Sequence, residues 1–276
     1  MNTTSNRVVV YLQTLQNLNV LPQCYGSLTA INLSSFHFGY DSIGGKNIPY
    51  IHLNDNTPND PMYNSLWPVL QKAQQNGTLL IAMLGGAGGA YSTLFNDYNT
   101  FYPLFKSMLQ NYHFDGVDLD VEEPVAQSDI QRFITDLRND FPSNFYITSA
   151  PVCSALQSGN YDPLSGIDWS TLKGSIDWFN VQFYSGFGTL ANDYDYNSII
   201  SNGYSPQQIV GGSLTNPSDG SGYVAIATVA QTLSSLNKQY SGQIGGAMGW
   251  EFYNANDTTE NINPAGWVST MEKAVS

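Results

Sequence analysis

Positive charge is scarce in this chain. Nine Lys and Arg stand against 22 Asp and Glu among 276 residues, a net charge of −13, and only 11% of the residues are charged. A surface of that sign repels phosphate backbones and acidic bilayers, so neither nucleic acid nor membrane is an expected partner. A neutral, polyhydroxylated ligand suits it better, because such a ligand needs aromatic faces and hydrogen-bonding groups instead of a counter-charge. Histidine is rare as well. His37, His52 and His113 are scattered, with no cysteine or acidic companion at ligand spacing, so no metal is expected, and no cofactor.

Other absences narrow the class further. There is no run of roughly eighteen apolar residues, so no segment reads as a membrane span. The opening MNTTSNRVVV lacks a basic region followed by an apolar stretch, so no secretory signal is written in it. The chain is then either cytoplasmic, or secreted and trimmed to its mature form; the low Lys/Arg content and the sequons at Asn76 and Asn256 lean towards export. Cys24 precedes the second predicted strand and Cys153 follows the fifth; in the fold argued below those sites lie towards opposite barrel ends, so both are expected as free thiols. The segment SLTNPSDGSG (213–222) contains glycines but no G-x-x-x-x-G-K-[ST], which makes it a loop and not a phosphate cradle. No linker, repeat or composition shift divides the chain. One domain over residues 1–276 is expected, as a monomer.

What the sequence does contain is regular. Apolar residues make up 42%, with 18 tyrosines and 13 phenylalanines, enough for a sizeable core. Eight short apolar, β-branched runs recur: 7–12, 28–36, 78–84, 114–122, 145–152, 176–184, 207–215 and 243–252. Segments with helical spacing separate them. PMYNSLWPVLQKAQQNG stops at Gly77, SDIQRFITDLRNDFP has Ser128 or Asp129 as its N-cap, and SGYVAIATVAQTLSSLNKQYSG closes near Gly242. Eight strand–helix units in this length predict a single (β/α)8 barrel, an α/β TIM barrel. The long excursion after the second run, around IPYIHL, reads as a small hairpin over the barrel mouth. The connection after the seventh run, about residues 216 to 222, is too short for an inserted domain.

The charges that the chain withholds elsewhere concentrate in FDGVDLDVEEP (114–124). Val117, Leu119 and Val121 alternate with Asp118, Asp120 and Glu122, which predicts a strand with three carboxylates on one face. In a barrel that face points inward, with Asp118 deepest and Glu122 at the rim where catalytic groups sit. Crowded, partly desolvated carboxylates cannot all ionise, so one is expected to hold a proton near neutral pH, as a general acid must. A calcium loop would need oxygen ligands on a turning backbone, which apolar β-branched spacers do not provide. A buried structural cluster, or a barrel that binds without catalysis, remains open. Asp120 and Glu122 lie about 6.6 Å apart along one strand and approach a ligand from the same side. Asp120 is therefore badly placed as the nucleophile of an ordinary retaining glycosidase, which must attack opposite the acid.

D-G-x-D-x-D-x-E over Asp115–Glu122 resembles the signature of glycoside hydrolase family 18, which contains chitinases and endo-β-N-acetylglucosaminidases. Leu84-Gly85-Gly86, Ala150-Pro151, Gln182-Phe183-Tyr184 and Met248-Gly249-Trp250-Glu251 resemble the family's motifs at four other strand ends. IHLND (51–55), QFYSGFG (182–188) and GGAMGWEFYN (245–254) look most like the small fungal endo-β-N-acetylglucosaminidases. Met83 departs from the serine of the family's S-x-G-G, and Ser185 follows Tyr184 where chitinases usually carry Asp or Asn.

The resemblance implies that Glu122 is the general acid and base, with Asp120 orienting a substrate acetamide that acts as the nucleophile. Asp118 would share a proton with Asp120, and Tyr184 would donate to the acetamido oxygen. Gln182, Gly85 and Gly86 would line the same subsite over a floor formed by Trp250. Asp115 is expected to brace the strand start, and Glu123, on the other face, to be solvated or to cap a helix. The implied activity is cleavage of the β-1,4 bond in the chitobiose core of N-linked glycans. A small endochitinase and a catalytically inactive chitinase-like lectin are the alternatives. In each case the partner is an oligosaccharide containing N-acetylglucosamine, of the N-glycan or the chitin type.

Overall fold

The computed structural model describes residues 5–16, 18–157, 159, 161–255 and 263–276; the sequon at Asn256 lies outside them. Eight parallel strands close into a barrel. In chain order they are β1 (Arg7–Leu12), β2 (Ala30–Ile43), β4 (Leu79–Gly85), β5 (Gly116–Asp120), β6 (Tyr146–Ser149), β7 (Trp178–Gln182), β8 (Ile209–Leu214) and β9 (Gly246–Trp250). Each pairs in parallel with the next, and β9 returns to β1. β3 (Lys46–Leu53) is additional and pairs antiparallel with the outer half of β2. All eight predicted runs therefore hold a barrel strand. The helices α1 (Leu66–Gln75), α2 (Tyr91–Asn96), α3 (Tyr98–Asn111), α4 (Gln127–Asp140), α5 (Tyr194–Ser201), α6 (Ile226–Gln239) and α7 (Pro264–Val275) follow six of the barrel strands, α2 and α3 sharing one crossover. After β1 and β6, short 3-10 turns (Leu18–Cys24, and Cys153–Leu156 with Trp169–Thr171) take the helix's place in the (β/α)8 arrangement. Among the described residues no helix is long and apolar enough to cross a membrane.

Residue alternation along each strand divides the core into two packed layers. Val8, Val10, Leu12, Ile31, Leu33, Val117 and Leu119 face outward into the layer beneath the helices. Val9, Tyr11, Ile81, Met83, Trp178, Val210 and Met248 face inward and fill the barrel. On β5 this same alternation sends Asp118 and Asp120 inward, because Val117 and Leu119 belong under the helices. Both carboxylates are consequently buried.

Some boundaries differ from expectation for local reasons. β5 leaves the ladder at Asp120, whose register partner Gly85 is the last residue of β4, so Glu122 lies just beyond the strand. α4 begins at Gln127 after an extended Ala126, which places Ser128 and Asp129 inside the first turn instead of at the cap. Gln127 turns aside to the backbone of Asp168. The hairpin β2–β3 forms as expected and turns at Gly44–Gly45, both with positive φ as a tight hairpin turn requires. It leans on α3 through Phe38 and Tyr40, which meet Phe101 and Phe105, and its base brings His37 to the mouth. Cys24 precedes β2 and Cys153 follows β6, both as buried free thiols.

The inner layer is held at its floor by an aromatic–cation stack. The Arg7 guanidinium lies 4.5 Å from the Trp178 ring centroid and donates to the carbonyls of Gln207 and Gly245. Trp178 is fully buried, packs against Tyr146 and donates from its indole nitrogen to Asn180 Oδ1 at 3.0 Å. Truncating such a ring leaves a cavity that neighbouring strands cannot collapse into. Trp178→Ala is expected to lower unfolding free energy by about 3–5 kcal/mol, measured by denaturant titration with native far-ultraviolet circular dichroism retained at zero denaturant.

Candidate active site

A cavity of ≈ 490 Å³ opens at the C-terminal ends of the barrel strands. Asp120, Glu122, Gln182, Tyr184, Gly85, Gly86 and Trp250 all line it. These seven come from the ends of β4, β5, β7 and β9 or the residues immediately after them, so the barrel gathers side chains from distant parts of the chain. Asp118, the eighth residue singled out in the sequence, lies below the cavity and is fully buried.

Three side chains that the sequence reading passed over hold Asp118. The Tyr11 hydroxyl donates to Oδ2 at 2.6 Å, while the Thr148 hydroxyl and the Asn180 amide, at 3.0 Å, donate to Oδ1. Each comes from an inward position of its own strand, so the alternation that located Asp118 could have located them. Above it, one Gln182 amide nitrogen lies within 3.2 Å of both Asp120 Oδ1 and Glu122 Oε1 and bonds the Ala150 carbonyl at 2.9 Å. A single side chain from β7 thereby sets the separation of the two rim carboxyls.

The glycines let the backbone come close. Gly85 and Gly86 have φ of +100° and +81°. A Cβ on Gly85 would fall 2.3 Å from the Asp120 carbonyl oxygen, and the Gly86 amide donates to that oxygen at 2.9 Å. Glu123 faces away from the cavity, as alternation implies. Its Oε1 accepts from the amides of Ala90 and Tyr91 at 2.5 and 2.6 Å, and Oε2 from Ser92 at 3.2 Å. It caps the start of α2 and ties the turn after Glu122 to the glycine loop. Against the upward pull of partial burial, those donors hold its carboxyl below the ordinary range. Asp115 braces the strand start, accepting from the Leu80 amide and the Gln74 side chain at 2.8 Å each.

The sequence profile of glycosyl hydrolases family 18 matches residues 7–263, from the first barrel strand to the start of the last helix. The chain belongs to that family. A fungal endo-β-N-acetylglucosaminidase of glycosyl hydrolase family 18 superposes with a TM-score of 0.85 at 35% identity, over 97% of each chain. A chitinase from Aspergillus fumigatus superposes with a TM-score of 0.81 at 36% identity, over 90% of this chain and 92% of its own. Chitinase 2 of Rhizopus oligosporus is 29% identical over 256 residues, 82% of this chain and 44% of that protein. The chain thus spans less than half the length of that curated relative.

Cavity lining extends beyond the family motifs. Gln13, His37, Leu164, Ser185, Phe187 and Asp219 also contribute. Five of the six lie past strand ends or in loops, where no alternation marks which side chain turns inward; His37 lies on β2, just past the register shift between Leu33 and Phe36 that interrupts the alternation.

Burial drives the electrostatics of the carboxyl cluster. It raises Asp120 well above the ordinary carboxylate range, and the neighbouring charges of Glu122 and Asp118 push in the same direction. Burial also raises Asp118, but the hydrogen bonds from Thr148, Tyr11 and Asn180 offset part of that rise. The Tyr184 hydroxyl is likewise raised, by burial and then by Asp120 and Glu122, and stays a neutral donor. The proton expected in the cluster therefore belongs on Asp120, which is hydrogen-bonded to Glu122. A carboxyl whose pKa is higher folded than unfolded binds its proton more tightly in the native state. Its stabilising effect is full below about pH 4 and is lost as pH rises through the folded value, at up to about 1.4 kcal/mol per pH unit. Asp120→Asn removes that loss. The melting temperature of the variant is expected to gain on the parent steadily from pH 4 to pH 8; two parallel curves would show that Asp120 ionises freely in the fold.

Proposed function

We propose that this chain is an endo-β-N-acetylglucosaminidase that hydrolyses the β-1,4 bond of the chitobiose core of N-linked glycans by substrate-assisted, retaining catalysis. One observation carries the mechanism: the two rim carboxyls, Asp120 and Glu122, sit side by side on one strand end and share the amide of Gln182. From that side a carboxyl can protonate a leaving oxygen, but its neighbour cannot attack the anomeric carbon from the opposite face. The two-carboxylate scheme of ordinary retaining glycosidases therefore does not fit, and the acetamido oxygen of the substrate takes the nucleophile's place.

In this reading one proton is held between Asp120 and Glu122. Glu122 delivers it to the glycosidic oxygen, and Asp120, left ionised, accepts the acetamido N–H and faces the positive charge that develops on the oxazolinium ring. Tyr184 donates to the acetamido oxygen and holds it towards the anomeric carbon, while Gln182 keeps both carboxyls in register. Trp250 supplies an apolar floor for the reacting sugar, and Gly85 and Gly86 leave room beside Asp120. Water, deprotonated by Glu122, then opens the oxazolinium ring with overall retention. Asp118 stays below, fixed by Tyr11, Thr148 and Asn180, and discourages ionisation of Asp120 until the charge on the substrate appears.

The preference for an N-glycan core over chitin draws on two features. The structural likeness to the fungal endo-β-N-acetylglucosaminidase extends over nearly all of both chains. The link between β8 and α6 also holds only a short loop where a deeper cleft would need an inserted wall. The chitinase reading keeps a specific observation in its favour, the comparable identity to the Aspergillus fumigatus chitinase.

A denatured glycoprotein bearing high-mannose glycans and a chitin oligomer, offered side by side, separate the two. The expected outcome by mass spectrometry is a single N-acetylglucosamine left on asparagine; brisk chitin cleavage with the glycoprotein untouched would select the chitinase. Glu122→Gln is expected to lower kcat by several orders of magnitude while oligosaccharide binding persists. Near-normal turnover, an inverted product or a glycosyl ester on an enzyme carboxylate would each refute the substrate-assisted route.

A further inference from the structure

The loop after β8 places a third carboxylate in the cavity. Asp219 lines it from the far side of β6 and β7 relative to Asp120, so it faces the reacting carboxyls across part of the mouth. Its loop rests on the residue after Tyr184: the Ser185 amide donates to the Ser221 carbonyl at 2.9 Å. Ser185 itself brings no charge to that wall, and the neighbouring loop supplies a carboxylate there. Asp219 is held firmly. Oδ1 accepts from the Asn254 amide at 2.6 Å and Oδ2 from the Asn216 backbone at 3.0 Å, while the Thr215 hydroxyl, 3.1 Å from Oδ2, places its one proton on the Glu251 carbonyl at 2.6 Å. An ionised carboxylate offers about four acceptor positions, so these two donors leave one free on Oδ1.

We infer that Asp219 is a specificity-determining residue that accepts a hydrogen bond from a hydroxyl of the pyranose ring seated on Trp250. This rests on the saccharide reading of the cavity given above. Geometry supports it from three directions. Trp250 and Asp219 line the same cavity, and β8 and β9 are paired neighbours, with Leu214 opposite Trp250 in register. The side chain is pre-oriented by the Asn254 and Asn216 donors, so little rotamer freedom is lost when a ligand hydroxyl is bound. Finally, no cation is paired with it among the described ion pairs, which leaves a sugar hydroxyl as a suitable neutral donor. These existing hydrogen bonds also make it a poor nucleophile, consistent with attack by the substrate's own acetamide.

The competing role is purely local, since Asp219 and Asn216 close a reciprocal cap on the short helical turn 217–219. Calorimetric titration of N,N′,N″-triacetylchitotriose into Glu122→Gln protein distinguishes the two. Adding Asp219→Ala is expected to weaken binding about ten- to a hundredfold, the effect of losing a hydrogen bond to a charged group. Adding Asn216→Ala instead, which breaks the cap from its other side and keeps the carboxylate, is expected to change binding less than about twofold on the same scale. Equal weakening by both would assign the effect to loop order and overturn the inference, as would unchanged binding in Asp219→Ala. Where the Glu122→Gln parent binds a high-mannose glycopeptide and not the trisaccharide, the same comparison is read on the glycopeptide; binding of neither would overturn the saccharide reading and this inference together.

Discussion

Alternation along β5 is the constraint from which the site follows. Val117 and Leu119 must be covered by helices, and in a two-faced strand that requirement turns Asp118 and Asp120 into the barrel whatever the electrostatic cost. The cost is then managed from several directions. Tyr11, Thr148 and Asn180 donate to the deeper carboxyl, Gln182 bridges the two nearer the rim, and a proton on Asp120 removes one of the charges that burial disfavours. In the proposed reaction stability and chemistry are coupled: the burial that destabilises an ionised Asp120 also makes that carboxyl responsive to a positive charge arriving on a substrate.

The sides of the cavity are built on different physical terms. On the β5 side the polar groups belong to strand ends and to a glycine loop pinned by Glu123, so they are positioned by the barrel itself. Across the mouth, Glu251 is buried and receives the amides of Gln13 and Thr14 at 2.9 Å, joining the end of β9 to the loop after β1. Asn254 contacts both Glu251 and Asp219, which links that junction to the loop after β8. Loops tied to one another through carboxylates have less freedom than their length suggests, and Asp219, proposed to contact the saccharide, sits on one of them.

The scarcity of charge acquires a structural sense from this arrangement. Several of the acidic side chains serve as acceptors for backbone amides or hydroxyls instead of pairing with cations: Asp115, Asp118, Glu123, Asp162, Asp219 and Glu251 all do so. A chain with nine Lys and Arg cannot pair 22 carboxylates, and here it uses many of them as caps and braces. The surface left over is acidic, which suits a neutral ligand and needs no electrostatic steering.

Local pattern was enough to reveal the eight barrel strands, the inward face of β5, the opposite orientation of Glu123 and the brace at Asp115. Each follows from a period of two or from neighbours a few residues apart, and the covalent chain carries that information directly. The same reasoning reached Gln182, Tyr184 and Trp250 only through resemblance to family motifs. Which donors surround Asp118, how completely Asp120 is buried, and that Asp219 and His37 enter the cavity became visible only in the folded barrel. Those outcomes depend on contacts between residues tens to hundreds of positions apart, such as Tyr11 with Asp118 and Asp219 with Asn254. Barrel closure sets them, because closing the sheet brings the ends of eight strands to one rim, and no local pattern records which loop side chains will meet there.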